Sequence, residues 1–335
     1  MKLLYEALLD KRAYPHVVSE VRMVQTHISW VYITDTLVYK VKKPVDFGFL
    51  DFTSLAKRKY YCDQEIRLNR RLSPHVYLDV IPVTNEGGYV AFGGRGDIVD
   101  YAVKMNYIPE QAALRRFLDR TDIIADVMDR VAKKIAAFHR LAETSAVIDT
   151  FGSIDTIKHN TDENFDQTVP YIGKSIRREQ WNAIKAYTDT YFTEKSALFE
   201  GRVARHRIRD CHGDLHLDHV YVMEPVTIVD CIEFNERFRY SDVAADIAFL
   251  AMDLDFNGYP DLAQTLMASY VRYSGDQDVS DLLNFYKVYR ACVRGKVISF
   301  KLDDPSISEE EKKRSAQLAG RYFALAQQYV DSEKS

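Results

Sequence analysis

The sequence predicts an α+β protein with two lobes: a β-rich N-lobe with one long helix, and a mostly helical C-lobe. Between about residues 16 and 105, short runs rich in β-branched and aromatic residues are separated by turn residues, which is typical of strands. From about residue 108 onward, apolar residues recur mainly with helical spacing. We therefore expect residues 1–107 to form the N-lobe and residues 108–335 the C-lobe.

Five strands and one helix are predicted within the N-lobe. The runs VYIT and LVYKV form a hairpin around Thr34-Asp35-Thr36, and YLDVIPV, GGYVAF and VDYAVKM are three further strands. A long helix precedes those three strands, and Thr53 is its expected N-cap. One face of this helix is marked by residues at helical spacing, namely Leu55, Lys59, Cys62, Ile66 and Asn69.

The C-lobe pattern is helical, with one irregular interruption. The run DVMDRVAKKIAAFHRLA carries a clear apolar stripe, residues 176–199 are helical but more polar, and several helices close the chain. Residues 150–175 combine polar and aromatic groups without clear periodicity, so we expect a loop suited to binding. The irregular stretch DCHGDLHLDH leads into two short strands, VYVM and TIVDCI, joined by Glu224-Pro225.

Composition excludes several classes of protein. The 335 residues are 47% hydrophobic and 28% charged with a net charge of −4, values typical of a soluble globular protein without a general affinity for nucleic acid or anionic lipid. The N-terminal MKLLYEALLDKRAYP resembles an amphipathic helix rather than a signal peptide, and no apolar run is long enough to span a membrane. Four widely spaced cysteines form no CxxC pair. We expect a cytoplasmic protein with no nucleic-acid or membrane partner; composition carries no information on its oligomeric state.

Two aspartates flank the predicted small hairpin. Asp214 lies in the motif HGD, and Asp230 follows the strand Thr227-Ile228-Val229 at a separation of 230 minus 214, or 16 residues. Phosphoryl transfer from ATP needs one carboxylate to orient and deprotonate the acceptor and another to hold the metal on the phosphates. Two carboxylates that cluster without a cation repel each other, so this pattern favours a metal site.

A lysine for the phosphates is expected in the β-rich lobe. Lys40 lies among apolar residues in the strand LVYKV, and Lys42 shares its strand face by alternation, so both are candidates. Glu65 is on an inward stripe of the long helix, where a carboxylate needs a cation, and Lys40 is its expected partner. The alternatives are a solvated edge-strand lysine and a helix-surface salt bridge between Glu65 and nearby arginines.

Nearly the whole chain resembles the aminoglycoside phosphotransferase-like kinases, a family of the protein-kinase-like superfamily, and in particular a bacterial branch of it. The most specific part is the combination HGD…VDCIEF…DVAADIA; TxHISWVY, VYKVKKPV, FGFLDF, EIRLNRRLSPHVYLDV, YAVKM and YRACVRGK also match. The resemblance implies a two-lobed protein-kinase-like fold. It also implies an ATP-dependent small-molecule kinase that transfers the γ-phosphoryl group to a hydroxyl of its acceptor.

The resemblance also assigns roles to single residues. It makes Asp214 the catalytic base, Asp230 a metal ligand, Lys40 the phosphate-binding lysine and Glu65 the helix partner of that lysine. Asp246 is expected to be structural, accepting hydrogen bonds from the backbone of the catalytic loop. His139 and His212 are expected to pack or to order loops.

Four further residues are expected around the nucleotide. The turn at residues 26–29 would cover the triphosphate, which makes Ser29 a candidate contact although the turn has no glycine-rich signature. Residues 105–108 would form the hinge beside adenine, with Met105, Asn106 and Tyr107 as the candidate contacts.

One position departs from the family pattern. The asparagine that normally supplies the second metal ligand is replaced by His219, which suits Mn²⁺ better than Mg²⁺ because imidazole is a softer ligand than an amide oxygen. Asp218 and His216 are alternative ligands. The replacement also leaves open a catalytically weak or inactive nucleotide-binding regulatory protein of the same fold.

The acceptor is expected to be a small molecule with a hydroxyl group. Four carboxylates that follow the hairpin favour an amine- or hydroxyl-bearing ligand over an anion, namely Glu233, Glu236, Asp253 and Asp255. Several arginines of the same region oppose that inference, namely Arg237, Arg239, Arg290 and Arg294.

Overall fold

A computed structural model describes residues 2–333, which form two compact units. The first, here called the sheet unit, comprises Met1–Arg116 and Asp218–Glu236; the second, the helical unit, comprises Phe117–Leu217 and Arg237–Ser335. The predicted α+β class, with a β-rich and a mostly helical part, is confirmed. The predicted lobe boundary between residues 107 and 108 stays a prediction. No helix within residues 2–333 is long and apolar enough to cross a membrane.

The sheet unit is built on six antiparallel strands in the order β1-β2-β3-β6-β4-β5. They are β1 Arg22–Gln25, β2 Ser29–Ile33, β3 Leu37–Lys42, β4 Tyr77–Glu86, β5 Tyr89–Phe92 and β6 Asp97–Asn106. The unit also contains two helices, α1 Lys2–Ala7 and α2 Leu55–Asn69, and a short strand pair within residues 218–236. The N-terminal helix is therefore shorter than the sequence predicts.

The β2–β3 hairpin determines which side chains face α2. Thr34 closes its turn, because the Thr34 hydroxyl donates to the Leu37 carbonyl at 2.9 Å. The register then places Ser29 opposite Lys42 and Val31 opposite Lys40. Since paired residues and alternate residues share a face, both lysines and Ser29 lie on the same side of the sheet.

Helix α2 begins one residue later than predicted. Its N-cap is Ser54, whose hydroxyl accepts a hydrogen bond from the Lys57 N–H, whereas the Thr53 hydroxyl donates to Asp51. The prediction of Thr53 was wrong because the preceding Asp51 carboxylate engages the Thr53 side chain in a local turn. Cys62, Ile66 and Asn69 of the predicted face are buried, while Leu55 and Lys59 are only half-buried.

The remainder of the chain is mostly helical. Its helices are α3 Ile124–Leu141, α4 Ala146–Asp149, α5 Ile154–Thr168, α6 Arg178–Glu194, α7 Ser196–Ala204, α8 Glu236–Arg239, α9 Val243–Phe256, α10 Pro260–Ser274, α11 Val279–Ser299 and α12 Glu309–Ser332. Two short antiparallel pairs are formed by β7 Ile208–Asp210 with β10 Tyr240–Asp242 and by β8 Val220–Tyr221 with β9 Thr227–Ile228. Helix α9 is buried from Val243 to Leu254, so it is a central helix of the helical unit.

The prediction of a loop at residues 150–175 was wrong, because most of this segment is helical. Helix α5 begins after Ser153, whose hydroxyl accepts from the Thr156 N–H. Three of the five residues on its buried face are polar, which conceals the apolar period in the sequence. These five residues are Ile157, Thr161, Asn164, Phe165 and Thr168.

A buried ion network holds the start of α9. Arg202 is 1% exposed and donates to both oxygens of Asp242 at 2.9 and 2.7 Å and to Asp276 at 2.6 Å. Asp242 is also the N-cap of α9, since its carboxylate accepts from the Ala244 N–H at 2.8 Å. The network therefore fixes the helix that carries Asp246.

We predict that Arg202→Ala lowers the free energy of unfolding by about 3–5 kcal/mol, because it leaves two buried carboxylates without their cation. Arg205 is the matched control, since its salt bridge to Asp278 is about half exposed. Arg205→Ala is expected to cost less than about 1 kcal/mol. Chemical denaturation of both variants measures the difference, and equal losses would contradict the assignment.

Candidate active site

Asp230 is fixed from three directions within the sheet unit. The Ser73 hydroxyl donates to the last carbonyl of β9 at 2.7 Å, the Asp230 N–H donates to the Tyr77 hydroxyl at 3.0 Å, and the Cys231 N–H donates to the Asn69 side chain at 2.9 Å. Asp230 also has a φ of +64°, in the left-handed region that few residues other than glycine adopt. Such a conformation persists only where the surroundings impose it, and it is common at functional sites.

Five charged side chains form a continuous series in the sheet unit, with anions and cations alternating. Lys40 Nζ lies 2.8 Å from Asp230 Oδ1 and 2.9 Å from Glu65 Oε1. Lys42 Nζ lies 2.7 Å from Glu65 Oε2 and also contacts Glu233 Oε1. The series therefore runs Asp230–Lys40–Glu65–Lys42–Glu233. It brings together three residues that the sequence assigns to the nucleotide or metal site, Lys40, Glu65 and Asp230.

Lys40 and Lys42 differ in the solvent exposure of their side chains. The side chain of Lys40 is 13% exposed and that of Asp230 48%, whereas Lys42 and Glu65 are fully buried. Part of Lys40 is therefore accessible to a ligand beside Asp230, whereas Lys42 is enclosed. This difference favours Lys40 over Lys42 as the candidate contact for phosphate.

Charge pairing keeps Lys40 and Glu65 ionised despite their burial, whereas burial raises the pKa of Glu233 even though Lys42 lowers it. Burial alone would lower the pKa of Lys40, but Asp230, Glu65 and Glu233 raise it well above its usual value. Burial alone would raise the pKa of Glu65, but Lys40 and Lys42 lower it below its usual value. Both groups stay charged near neutral pH because each has oppositely charged neighbours.

His219 lies beside the same aspartate, just before β8. Its Nε2 atom is 3.6 Å from Asp230 Oδ2, while Lys40 contacts the other oxygen of that carboxylate. A carboxylate oxygen and an imidazole nitrogen so close together fit a divalent cation that accepts both kinds of ligand. The alternative ligand Asp218 instead pairs with Arg115 at 2.9 Å. The donor set thus favours Asp230 and His219 as the residues that would hold a metal.

Ser29 has an unusual environment for a residue expected near phosphates. It is fully buried on the face of the sheet that carries Lys42, and its hydroxyl has no hydrogen-bond partner among residues 2–333. The turn itself is ordered by Thr26, whose hydroxyl accepts from the N–H groups of Ile28 and Ser29. A role for Ser29 toward nucleotide stays a prediction.

The predicted adenine contacts lie at the end of β6. The Asn106 N–H donates to the Val76 carbonyl at 2.8 Å, and the Tyr107 N–H donates to the Thr36 carbonyl at 2.9 Å. Because these two donors already have acceptors, a base bound beside Met105, Asn106 and Tyr107 would need other groups of the segment. The assignment of these three residues to adenine stays a prediction.

Side chains of α9 and α11 in the helical unit hold the loop that carries Asp214. Asp246 accepts the N–H groups of His212 and Gly213, both at 2.9 Å, and Arg290 donates to the Gly213 carbonyl at 3.1 Å. Gly213 has a φ of +86°, where a side chain would be strained. The expected structural role of Asp246 is confirmed.

Asp246 and His139 form a buried pair beneath the loop. His139 contacts Asp246 Oδ2 at 3.1 Å through Nε2 and the Tyr270 hydroxyl at 2.8 Å through Nδ1. Burial would raise the pKa of Asp246, but His139, His212 and Arg290 lower it to about 2. The expected packing role of His139 is confirmed by these contacts.

Asp214 itself remains accessible and has a histidine neighbour. Its side chain is 35% exposed, and its Oδ2 atom lies 3.5 Å from Nε2 of the buried His216. Burial would lower the pKa of His216, but Asp214 raises it above its usual value against the opposing charge of Arg294. An exposed carboxylate on a rigid loop can accept a proton from a bound hydroxyl group.

Three of the four acidic residues that the sequence associates with the acceptor have other partners. Glu233 is buried against Lys42, Asp253 accepts from the Leu217 N–H at 3.0 Å, and Asp255 pairs with Lys287 at 2.8 Å. Their expected role in acceptor binding is therefore not supported. The contact between Lys42 and Glu233 was missed, although two alternating lysines on one strand require more than one nearby carboxylate.

Comparison with known proteins places this arrangement in a family. Residues 54–281 match the model of the APH family, described as a phosphotransferase enzyme family. Uncharacterised proteins of Mycobacterium tuberculosis and Mycobacterium bovis are 30% identical over 308 residues, or 91% of this chain. The chain spans 59% of the length of these relatives.

Solved structures share the fold at low sequence identity. An aminoglycoside 2'-phosphotransferase-IIIa bound to GDP has a TM-score of 0.56 at 14% identity, covering 97% of this chain and 99% of its own. A microcompartment-associated aminopropanol kinase has a TM-score of 0.55 at 13% identity, covering 99% and 98%. A ternary complex of APH(2")-IIa with streptomycin and ATP has a TM-score of 0.50 at 12% identity, covering 95% and 97%. The chain has the two-lobed protein-kinase-like fold and belongs to the phosphotransferase enzyme family.

Proposed function

We propose that this chain is an ATP-dependent kinase that transfers the γ-phosphoryl group to a hydroxyl of a small molecule. The observation that carries the proposal is the placement of Lys40 between Glu65 and the half-exposed Asp230. That arrangement offers a cation for phosphate oxygens beside a carboxylate for a metal. Structurally similar proteins support the substrate classes, since one is a complex with streptomycin and ATP and another is an aminopropanol kinase.

Asp214 is the proposed catalytic base. Its carboxylate would accept the proton of the acceptor hydroxyl while the acceptor oxygen bonds to the γ-phosphorus. The bond between that phosphorus and the β,γ-bridging oxygen breaks, and ADP leaves with the bonding electrons. The rigid attachment of the loop to Asp246 and Arg290 supports this role, because it restricts the positions that the carboxylate can occupy.

Lys40 is proposed to bind the phosphates of ATP, with Glu65 holding its ammonium group in place. Asp230 and His219 are the residues that would hold a divalent cation, Mg²⁺ or Mn²⁺. Such a cation neutralises charge on the phosphate oxygens.

A catalytically weak or inactive nucleotide-binding protein is the second candidate, favoured by the histidine at position 219. The geometry around Asp214 and Lys40 favours the kinase, because both groups have the exposure that a reactive site requires.

Asp214→Asn is expected to lower phosphoryl transfer by about 10²–10⁴-fold, because the amide cannot accept the proton. The melting temperature and ATP affinity should stay close to those of the wild type, and Lys40→Ala should lose ATP affinity instead. ADP release is measured with panels of amino alcohols, sugars and aminoglycosides, using Asp214→Asn as the blank. Wild-type turnover by folded Asp214→Asn would exclude this residue as the base.

The metal preference is expected to depend on His219. An imidazole ligand favours Mn²⁺ over Mg²⁺, whereas an amide oxygen restores the preference for Mg²⁺. ATP turnover is therefore expected to be higher with Mn²⁺ in the wild type and to shift toward Mg²⁺ in His219→Asn. Equal preferences in the two proteins would remove His219 from the metal site.

The pKa of His216 is expected to fall when Asp214 is neutralised. In the wild type Asp214 raises this pKa against the effect of burial. In Asp214→Asn, burial and Arg294 lower the pKa, and the smaller effect of Asp253 opposes them. Nuclear magnetic resonance titration of the His216 ring measures both values. An unchanged pKa of His216 would show that the two side chains do not interact.

A further inference from the structure

We propose that Lys42 and Glu233 are positioning residues that hold Lys40 and Asp230 in the geometry required by nucleotide phosphates. The inference rests on the proposed function, and it concerns two residues that do not themselves touch the nucleotide. It assigns a shared task to a pair separated by 191 positions along the chain.

The ammonium group of Lys42 is surrounded by two carboxylates and an aromatic ring. Its ammonium lies 2.7 Å from Glu65 Oε2, contacts Glu233 Oε1, and stands 4.9 Å from the centre of the Phe52 ring. The lysine side chain is fully buried and that of Glu233 is 4% exposed. A phosphate cannot reach such a lysine without displacing one of these groups, so any effect of Lys42 on nucleotide binding is indirect.

Lys42 acts on Lys40 through Glu65. Each oxygen of the Glu65 carboxylate contacts a different lysine, Lys40 at Oε1 and Lys42 at Oε2. A carboxylate with one cation can rotate or take that cation between both oxygens, whereas two cations fix its plane. Because the two lysines are alternate residues of β3, the double contact also fixes α2 relative to this strand. Lys42 thereby determines where Lys40 is held.

Lys42 acts on Asp230 through Glu233, which follows it by 233 minus 230, or three, residues. The chain before Asp230 is attached through Ser73, and the Asp230 N–H is attached through Tyr77. Glu233 attaches the chain after it, so the aspartate lies between fixed points. Lys40 and Asn69 already link Asp230 and Cys231 to α2, and the ammonium of Lys42 adds a third link by contacting both Glu233 and Glu65.

If the Lys42–Glu233 salt bridge only stabilised the fold, its removal would have different effects on nucleotide binding. Replacing both members of a buried ion pair with apolar groups of similar volume is often neutral for stability, while removing one member is destabilising. A double substitution at residues 42 and 233 is therefore expected to recover stability in either case, because Glu65 keeps Lys40 as its cation. Only positioning residues leave a defect in nucleotide binding after stability is restored.

The test compares Lys42→Met, the double variant Lys42→Met/Glu233→Met, and a matched control. The control is Arg58→Met/Asp100→Leu, which removes another buried ion pair of the sheet unit, between α2 and β6. Arg58 pairs with Asp100 and donates to the carbonyls of Phe52 and Thr53, so its partners differ from those of Lys40 and Lys42. Affinity for a fluorescent ATP analogue is measured with Mg²⁺ and with Mn²⁺, and thermal unfolding is followed in parallel.

Lys42→Met is expected to lower the melting temperature, and Lys42→Met/Glu233→Met to recover it. The recovered double variant is expected to bind the analogue about 10–100-fold more weakly than the wild type, as for other groups that orient a ligand-binding residue. The control should bind like the wild type. Wild-type affinity in the double variant would overturn the inference and leave the proposed function intact, whereas a wild type that binds no nucleotide would overturn both.

Glu233→Gln keeps the test decisive if the double variant does not fold. Glutamine retains the size of the side chain and one acceptor for Lys42 but removes the charge. We expect faster hydrogen exchange of the Asp230 and Cys231 amides, together with weaker binding of the ATP analogue. Unchanged exchange and unchanged affinity in this variant would overturn the inference.

Discussion

The ion pairs of Glu65 with Lys40 and Lys42 are the interaction on which the sheet unit depends. A carboxylate without solvent exposure is costly to ionise unless cations surround it, and two inward-facing lysines are equally costly without anions. Each partner is tolerable only because the others are present. Helix α2 supplies Glu65 and strand β3 supplies both lysines, so the packing of these two elements depends on the same charges that form the candidate phosphate site.

Much of the fold and part of the site could be predicted from sequence, because their signals are local. Strand alternation placed Lys40 and Lys42 on one face, and helical spacing placed Glu65 on an inward stripe. The pairing of Lys40 with Glu65 follows from the requirement that buried charges be compensated. Asp214 and Asp230 were recognised from motif and spacing, and their contacts give each a rigid backbone although their catalytic roles stay predictions.

The remaining features depend on distant or ambiguous signals. No local pattern links Lys42 to Glu233, since the contact joins residues 191 positions apart. Helix α5 escaped prediction because threonine and asparagine occupy buried positions that apolar residues usually mark. Ser54 rather than Thr53 caps α2 because both residues have suitable hydroxyl groups, and only the position of Asp51 distinguishes them.

The left-handed backbone at Asp230 limits which residues can replace it. Aspartate and asparagine tolerate this conformation better than most residues, whereas alanine there costs roughly 1–2 kcal/mol through the clash of its Cβ with the following carbonyl. The effect of Asp230→Ala on activity would thus combine two causes, loss of the carboxylate and distortion of the backbone at this position. The backbone at this position therefore accommodates asparagine or glycine with less strain than the longer glutamate, although of these three only glutamate preserves the charge.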